Sequence, residues 1–203
     1  MVEQLEYWFS KSSDCLLHYE YIKMLKELLH CDLDQEIIDF LCEKATSKKH
    51  WCEIRSEHVK ILLLNKSSYK YDLKQFYYEN AKKARRLWFK LYFIRGYAIY
   101  ASESELSPMM TKFQEFLRKY HDYIDYEFIL SPAGLPYLVK TYGYPCFAEA
   151  LETAKIEYEK INPLLRGYFT FDENMNHIKL LSHEEVHRRS EEYLKSLRKN
   201  IPG

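Results

Sequence analysis

Near the end of the chain, His183 and His187 stand one helical turn apart with Glu184 between them, and nowhere else do residue types and spacing spell out a reaction so directly. Residues four apart on a helix share a face. Both imidazoles would then meet one divalent cation, and Glu184 would accept a proton from a water bound to it. Such a site needs a third protein ligand and an open position for water. Downstream only Glu191 and Glu192 precede Gly203. Glu191 shares the histidine face, but a straight helix cannot curl three successive turns around one ion.

The string His183-Glu184-Glu185-Val186-His187 resembles the H-E-x-x-H signature of zinc-dependent hydrolases. The resemblance implies zinc on His183 and His187 with Glu184 as general base, and hence a hydrolase as an alternative function. It covers five residues. Charged Glu185, Arg188 and Arg189 flank the histidines where the family's helix is buried and mostly uncharged. Ser182 followed by Glu185 also spells a capping box, with acidic residues suiting the positive end of a helix. The capping role is the preferred expectation, with no metal and no cofactor.

Two other groupings carry chemistry. Cys15, His18, His30, Cys31, Cys42, His50, Cys52 and His58 crowd the first 58 residues. The pairs Cys15-x-x-His18 and His50-x-Cys52 do not assemble into a known zinc pattern, and free cysteine on an apolar helix face behaves as a small hydrophobe. Arg118, His121 and Asp125 stack at three- and four-residue spacing, which serves an oriented base or a weak surface ion pair. No phosphate loop, dinucleotide fingerprint or nucleophile elbow occurs.

The strongest binding pattern is electrostatic. Residues 1–45 carry 4 basic and 10 acidic side chains, net −6, whereas residues 46–101 carry 13 and 4, net +9. Residues 102–173 return to net −5, and the remainder is net +2. Within the basic block a helix is expected over 71–100. On its wheel Lys74, Lys82, Lys83, Arg85, Arg86 and Lys90 fall within about half the circumference, with Glu79 the only acid among them. Tyr78, Phe89 and Phe93 share that arc. Cations interleaved with rings suit phosphates and bases of a single-stranded nucleic acid, or an acidic protein surface. Arg95 falls on the apolar face of the same wheel, where it needs a carboxylate or serves as an anion clamp.

The elements that position these residues follow from periodicity. Glycine is scarce, 5 residues against 19 tyrosines, and tight hairpins consume glycine. The expected fold is therefore mostly α, about seven helices with one short hairpin. Helices are expected over 4–30, 32–48, 51–64, 71–100, 107–130, 145–161 and 183–199. Trp51 and Tyr19 are expected on buried faces, and 132–145 as an irregular loop. The strands of the hairpin, 168–171 and 177–181, are joined by 172–176. A helical domain over 1–130 is expected to precede a helix-hairpin-helix segment, 131–203. Five cysteines without a compact framework, no secretory leader and no bilayer-length apolar stretch point to an intracellular, cytoplasmic chain without membrane contact. The sequence thus predicts a non-catalytic regulatory or accessory protein that binds nucleic acid or an acidic protein; a self-assembling scaffold is a further alternative.

Overall fold

The structure, a computed structural model, describes residues 1–12, 14–179 and 183–199. Among these the chain is mostly helical, with eleven α-helices. It divides into two compact units, Met1–Ser102 and Glu103–Gly203. The division falls ahead of residue 103 and not after 130, because the helix that opens at Glu103 packs along the helix Pro145–Ile161.

The first unit contains α1 (Val2–Lys11), α2 (Cys15–Glu27), α3 (Gln35–Thr46), α4 (Cys52–Leu64), α5 (Lys74–Lys83) and α6 (Leu87–Ala98). The single helix expected over 4–30 is two. Phe9 O accepts from both the backbone N–H and the hydroxyl of Ser12, at 3.1 and 2.7 Å, and this ends α1. Asp34 caps α3 by accepting from Ile37 N at 2.9 Å. Buried Asn65 ties two connections together. Its amide donates to Leu28 O and Cys31 O at 2.6 and 2.8 Å, while its carbonyl oxygen accepts from Ser67 N at 2.8 Å.

Several buried polar groups of the first four helices bond one another. Tyr21 OH meets His58 Nε2 at 2.6 Å, and His58 Nδ1 meets Ile54 O at 2.9 Å. The carbonyl can only accept, so Nδ1 carries the proton and Nε2 accepts from the tyrosine. Burial lowers the His58 pKa to about 3 and, ahead of nearby Glu6, raises that of Tyr21. Lys44 Nζ lies 2.7 Å from Glu6 and 2.8 Å from Glu43, and 5.3 Å from the ring centres of both Phe9 and Phe40. Burial alone would depress this ammonium; hydrogen bonds to the two carboxylates outweigh it and raise its pKa.

The helix expected over 71–100 is broken. Ala84 and Arg86 take extended backbone, ψ 132° and 133°, and α6 folds back along α5. A straight rod would present Tyr77, Phe89, Leu91 and Phe93 on several sides. Folding back buries all four, each 2% exposed or less. Gly96 permits the close approach: a Cβ there would lie 2.1–2.5 Å from the ring of Tyr77.

The second unit contains α7 (Glu103–Lys119), α8 (Tyr123–Leu130), α9 (Leu135–Tyr142), α10 (Pro145–Ile161) and α11 (His183–Lys199). Helix α7 begins a turn before the expected Ser107-Pro108 start and stops well short of 130. Tyr126 OH, donating to Leu117 O at 2.5 Å, clamps α8 against the end of α7. The expected irregular stretch holds α9, opened at Gly134-Leu135-Pro136 and closed by Gly143 in the left-handed conformation. Met110, Phe113, Leu117, Tyr126, Phe147 and Tyr158 fill the core. Two short strands, β1 (Thr170–Phe171) and β2 (His177–Lys179), pair antiparallel. Leu180 and Leu181, expected in the second strand, lie outside the described residues.

Two outcomes follow. Gly96→Ala should destabilise the fold by about 1–3 kcal/mol in urea unfolding, because a buried ring must move. Tyr77→Phe should be neutral or stabilising by up to about 1 kcal/mol, since the Tyr77 hydroxyl is buried with no hydrogen-bond partner among the described residues. The pH dependence has a defined sign as well. Unfolded histidine titrates near 6.5 and folded His58 near 3, so its stabilising share is complete above pH 6.5 and declines as pH falls through that window. Urea unfolding between pH 5 and 6.5 should lose up to about 1.4 kcal/mol per pH unit from this group, a slope that flattens in His58→Gln.

Candidate functional site

The fold-back separates the residues of the expected basic, aromatic arc. Phe89 and Phe93 are 2% and 1% exposed, their ring centres 4.8 Å apart. They belong to the core and offer no face for stacking, which corrects the expectation for both. Lys90 is buried as well, with Nζ 2.5 Å from Ala81 O and 3.4 Å from Lys82 O. It caps the C-terminal carbonyls of α5, where a cation is favoured, and burial lowers its pKa to about 8. Lys74 and Arg95 are half-buried. Arg95 lies on the inner side of α6 with its Nε buried.

Four of the expected cations remain at the surface. Lys82, Lys83, Arg85 and Arg86 are exposed at the α5–α6 connection. Glu79 lies 3.7 Å from Lys82 Nζ and 3.5 Å from Lys83 Nζ. Lys82 also sits 4.8 Å over the ring of Tyr78. Such ion pairs on solvated faces hold the side chains weakly.

The zinc-like string lies on α11. Glu184 and His187 are exposed, and His187 Nδ1 is 3.8 Å from Glu191. Glu185 binds Arg188 at 2.8 Å and Arg189 at 2.7 Å, and Arg189 reaches Arg166 O at 2.6 Å. Those two bonds lower the Glu185 pKa to about 2. Ser182 and the His183 side chain, and with them the capping box, lie outside the described residues. Among the described residues no three His, Cys, Asp or Glu side chains are grouped to hold a metal. Arg118, His121 and Asp125 do not share a helix, since α7 ends at Lys119; Asp125 is buried and accepts from Tyr120 OH.

One cleft of about 550 Å³ brings together pieces that the sequence kept apart. Ser12 joins the lining from the end of α1, His18 and Tyr19 come from the first turns of α2, Lys49, His50 and Trp51 from the α3–α4 connection, and Glu53 and Ile54 from α4. Its walls are mostly apolar, and its size suits a small ligand. His50 sets the geometry. Its ring lies 3.9 Å from that of Phe9 and its Nε2 is 3.1 Å from Phe9 O. Nε2 is therefore the protonated nitrogen, and Nδ1 is a buried acceptor without a partner among the described residues. Burial first, then Lys44 and Lys49, lower its pKa. Tyr19 and Trp51, expected on buried faces, are 73% and 71% exposed. The sequence signal for this was local: the Ser12-Ser13-Asp14 run ends one helix, and Trp51 holds the position just before α4 and not one inside it.

No helix among the described residues is long and apolar enough to cross a membrane. No family model, no curated protein and no solved structure matches this chain.

Lys90→Met should lower stability by about 1–3 kcal/mol in urea unfolding, because the last carbonyls of α5 lose their donor inside the protein.

Proposed function

We propose that this chain is a non-catalytic binding protein that engages an acidic protein surface through the corner formed by Lys82, Lys83, Arg85 and Arg86. The observation that carries this reading is the density of exposed cations there, four in five residues across the last turn of α5 and the connection that follows it, with Glu79 3.7 Å from Lys82 and 3.5 Å from Lys83. Charge of one sign at an exposed corner steers and orients a partner of the opposite sign. An acidic protein is favoured over a single-stranded nucleic acid because Phe89 and Phe93 are core residues. Of the three rings of the arc only Tyr78 stays beside the cations, half-buried against Tyr97 and under Lys82, so base stacking loses most of its platform.

Binding of the full chain to poly-glutamate and to a mixed-sequence single-stranded oligonucleotide, titrated over salt, tests this. Affinity for poly-glutamate should fall steadily with salt, and the double variant Lys83→Glu/Arg85→Glu should weaken it about tenfold or more. Both residues are exposed, so the variant should keep its fold. Binding that ignores salt and charge reversal, or no binding at low salt, would reject the reading; stronger, base-dependent binding to the oligonucleotide would replace the partner with nucleic acid.

A further inference from the structure

The cleft beside His50 is separate from the cationic corner and has a different character. Trp51 and Tyr19 put electron-rich rings at the surface, and Glu53 adds a carboxylate. Elsewhere this unit places cations over its rings repeatedly: Lys11 over Tyr7, Lys44 over Phe9 and Phe40, Arg55 over Phe89, Lys60 over Tyr92 and Lys82 over Tyr78, at 4.8–6.0 Å. Among the described residues no such cation lies over Tyr19 or Trp51, and Glu53 has no ion pair. Tryptophan is the best ring for holding a cation. The two most exposed rings of these helices thus present electron-rich faces to one cleft, with a carboxylate on the same lining.

We infer that the cleft binds a small organic cation, an alkylated or protonated amine carried on an apolar body. The charged nitrogen lies against Trp51 and Tyr19 with Glu53 as counter-ion, and the apolar body takes the space beside Ile54. His50, held neutral by burial, does not repel it. Its Nδ1 is the one buried acceptor on the wall still lacking a donor among the described residues. Among the described lining residues Lys49 carries the opposing charge, and its side chain is exposed to solvent. Metal binding is the other use to which two histidines in one cleft could be put. His18 and His50 have no third ligand grouped with them among the described residues, and an imidazole whose Nε2 is already bonded to Phe9 O has one nitrogen left to offer.

The test is calorimetric titration of the full chain with benzyltrimethylammonium, with benzyl alcohol as the neutral counterpart and phenylacetate as the anionic one. The cation should bind saturably and the other two should not. Trp51→Ala should weaken it about tenfold and Glu53→Gln about threefold, while Lys49→Ala should tighten it by about twofold to threefold. Trp51 and Glu53 are exposed and make no capping bond through the Trp51 side chain, so both variants should fold; Trp51→Leu replaces Trp51→Ala if that one does not. The inference is overturned if the cation fails to saturate by about 10 mM, a level weaker than single-digit-millimolar cation recognition. It is equally overturned if phenylacetate binds better and is lost with Lys49→Ala, or if Trp51 and Glu53 variants bind as the parent does. The poly-glutamate outcome is independent, because no cleft residue belongs to the cationic corner.

Discussion

The ring of Tyr77 resting on the bare Cα of Gly96 is the contact that decides what the basic segment of this protein can do. With any side chain at residue 96, α6 could not lie so close to α5. The fold-back at 84–86 would then lose the packing of Phe76 on Phe93 and of Tyr78 on Tyr97, whose ring centres are 5.9 and 5.3 Å apart. The arrangement carries an internal expense, a buried Tyr77 hydroxyl without a partner among the described residues, that the burial of several aromatic rings outweighs. Its consequence is a partition of one charged, aromatic stretch into two roles. The rings go inward, Lys90 is consumed as a cap, and the remaining cations are crowded onto the turn.

The N-terminal half of the same unit is governed by another constraint, the satisfaction of buried polar groups. Tyr21 and His58 complete each other, Lys44 is shared between Glu6 and Glu43, and Asn65 bonds carbonyls from one connection and donors from another. These bonds cross α1, α2, α3 and α4, so each fixes elements distant in sequence. A half-satisfied network of this kind would destabilise more than an apolar core. His50 is the departure. Its Nε2 is bonded and its ring lies against Phe9, yet Nδ1 is a buried acceptor at the wall of a cleft with no partner among the described residues.

Helical character, the ends of α4 at Leu64 and of α10 at Ile161, and the short paired strands were legible from periodicity, from Asn-Pro and Ser-Pro punctuation and from the scarcity of glycine. What was not legible was where long periodic runs break. Apolar residues on all sides of 71–100 fit a buried rod as well as two packed helices, and only the tertiary contact at Gly96 distinguishes them. The same ambiguity displaced the site. Phe89 and Phe93 looked like stacking platforms because a helical wheel assigns direction but not depth. Trp51 looked like a core position because one residue of offset at a helix start turns a side chain from the interior to solvent. His18 and His50, noted only as unmatched metal-ligand pairs, do share a cleft, joined by a connection whose path no spacing rule specifies.

The division of labour within 71–100 rests on the fold-back, and nuclear Overhauser contacts in isotope-labelled protein report it most directly. Cross-peaks between the ring protons of Tyr77 and the α-protons of Gly96 are expected, together with contacts between Phe76 and Phe93. A continuous helix would hold Tyr77 and Gly96 about 28 Å apart and give neither; their absence from a folded sample would contradict the account.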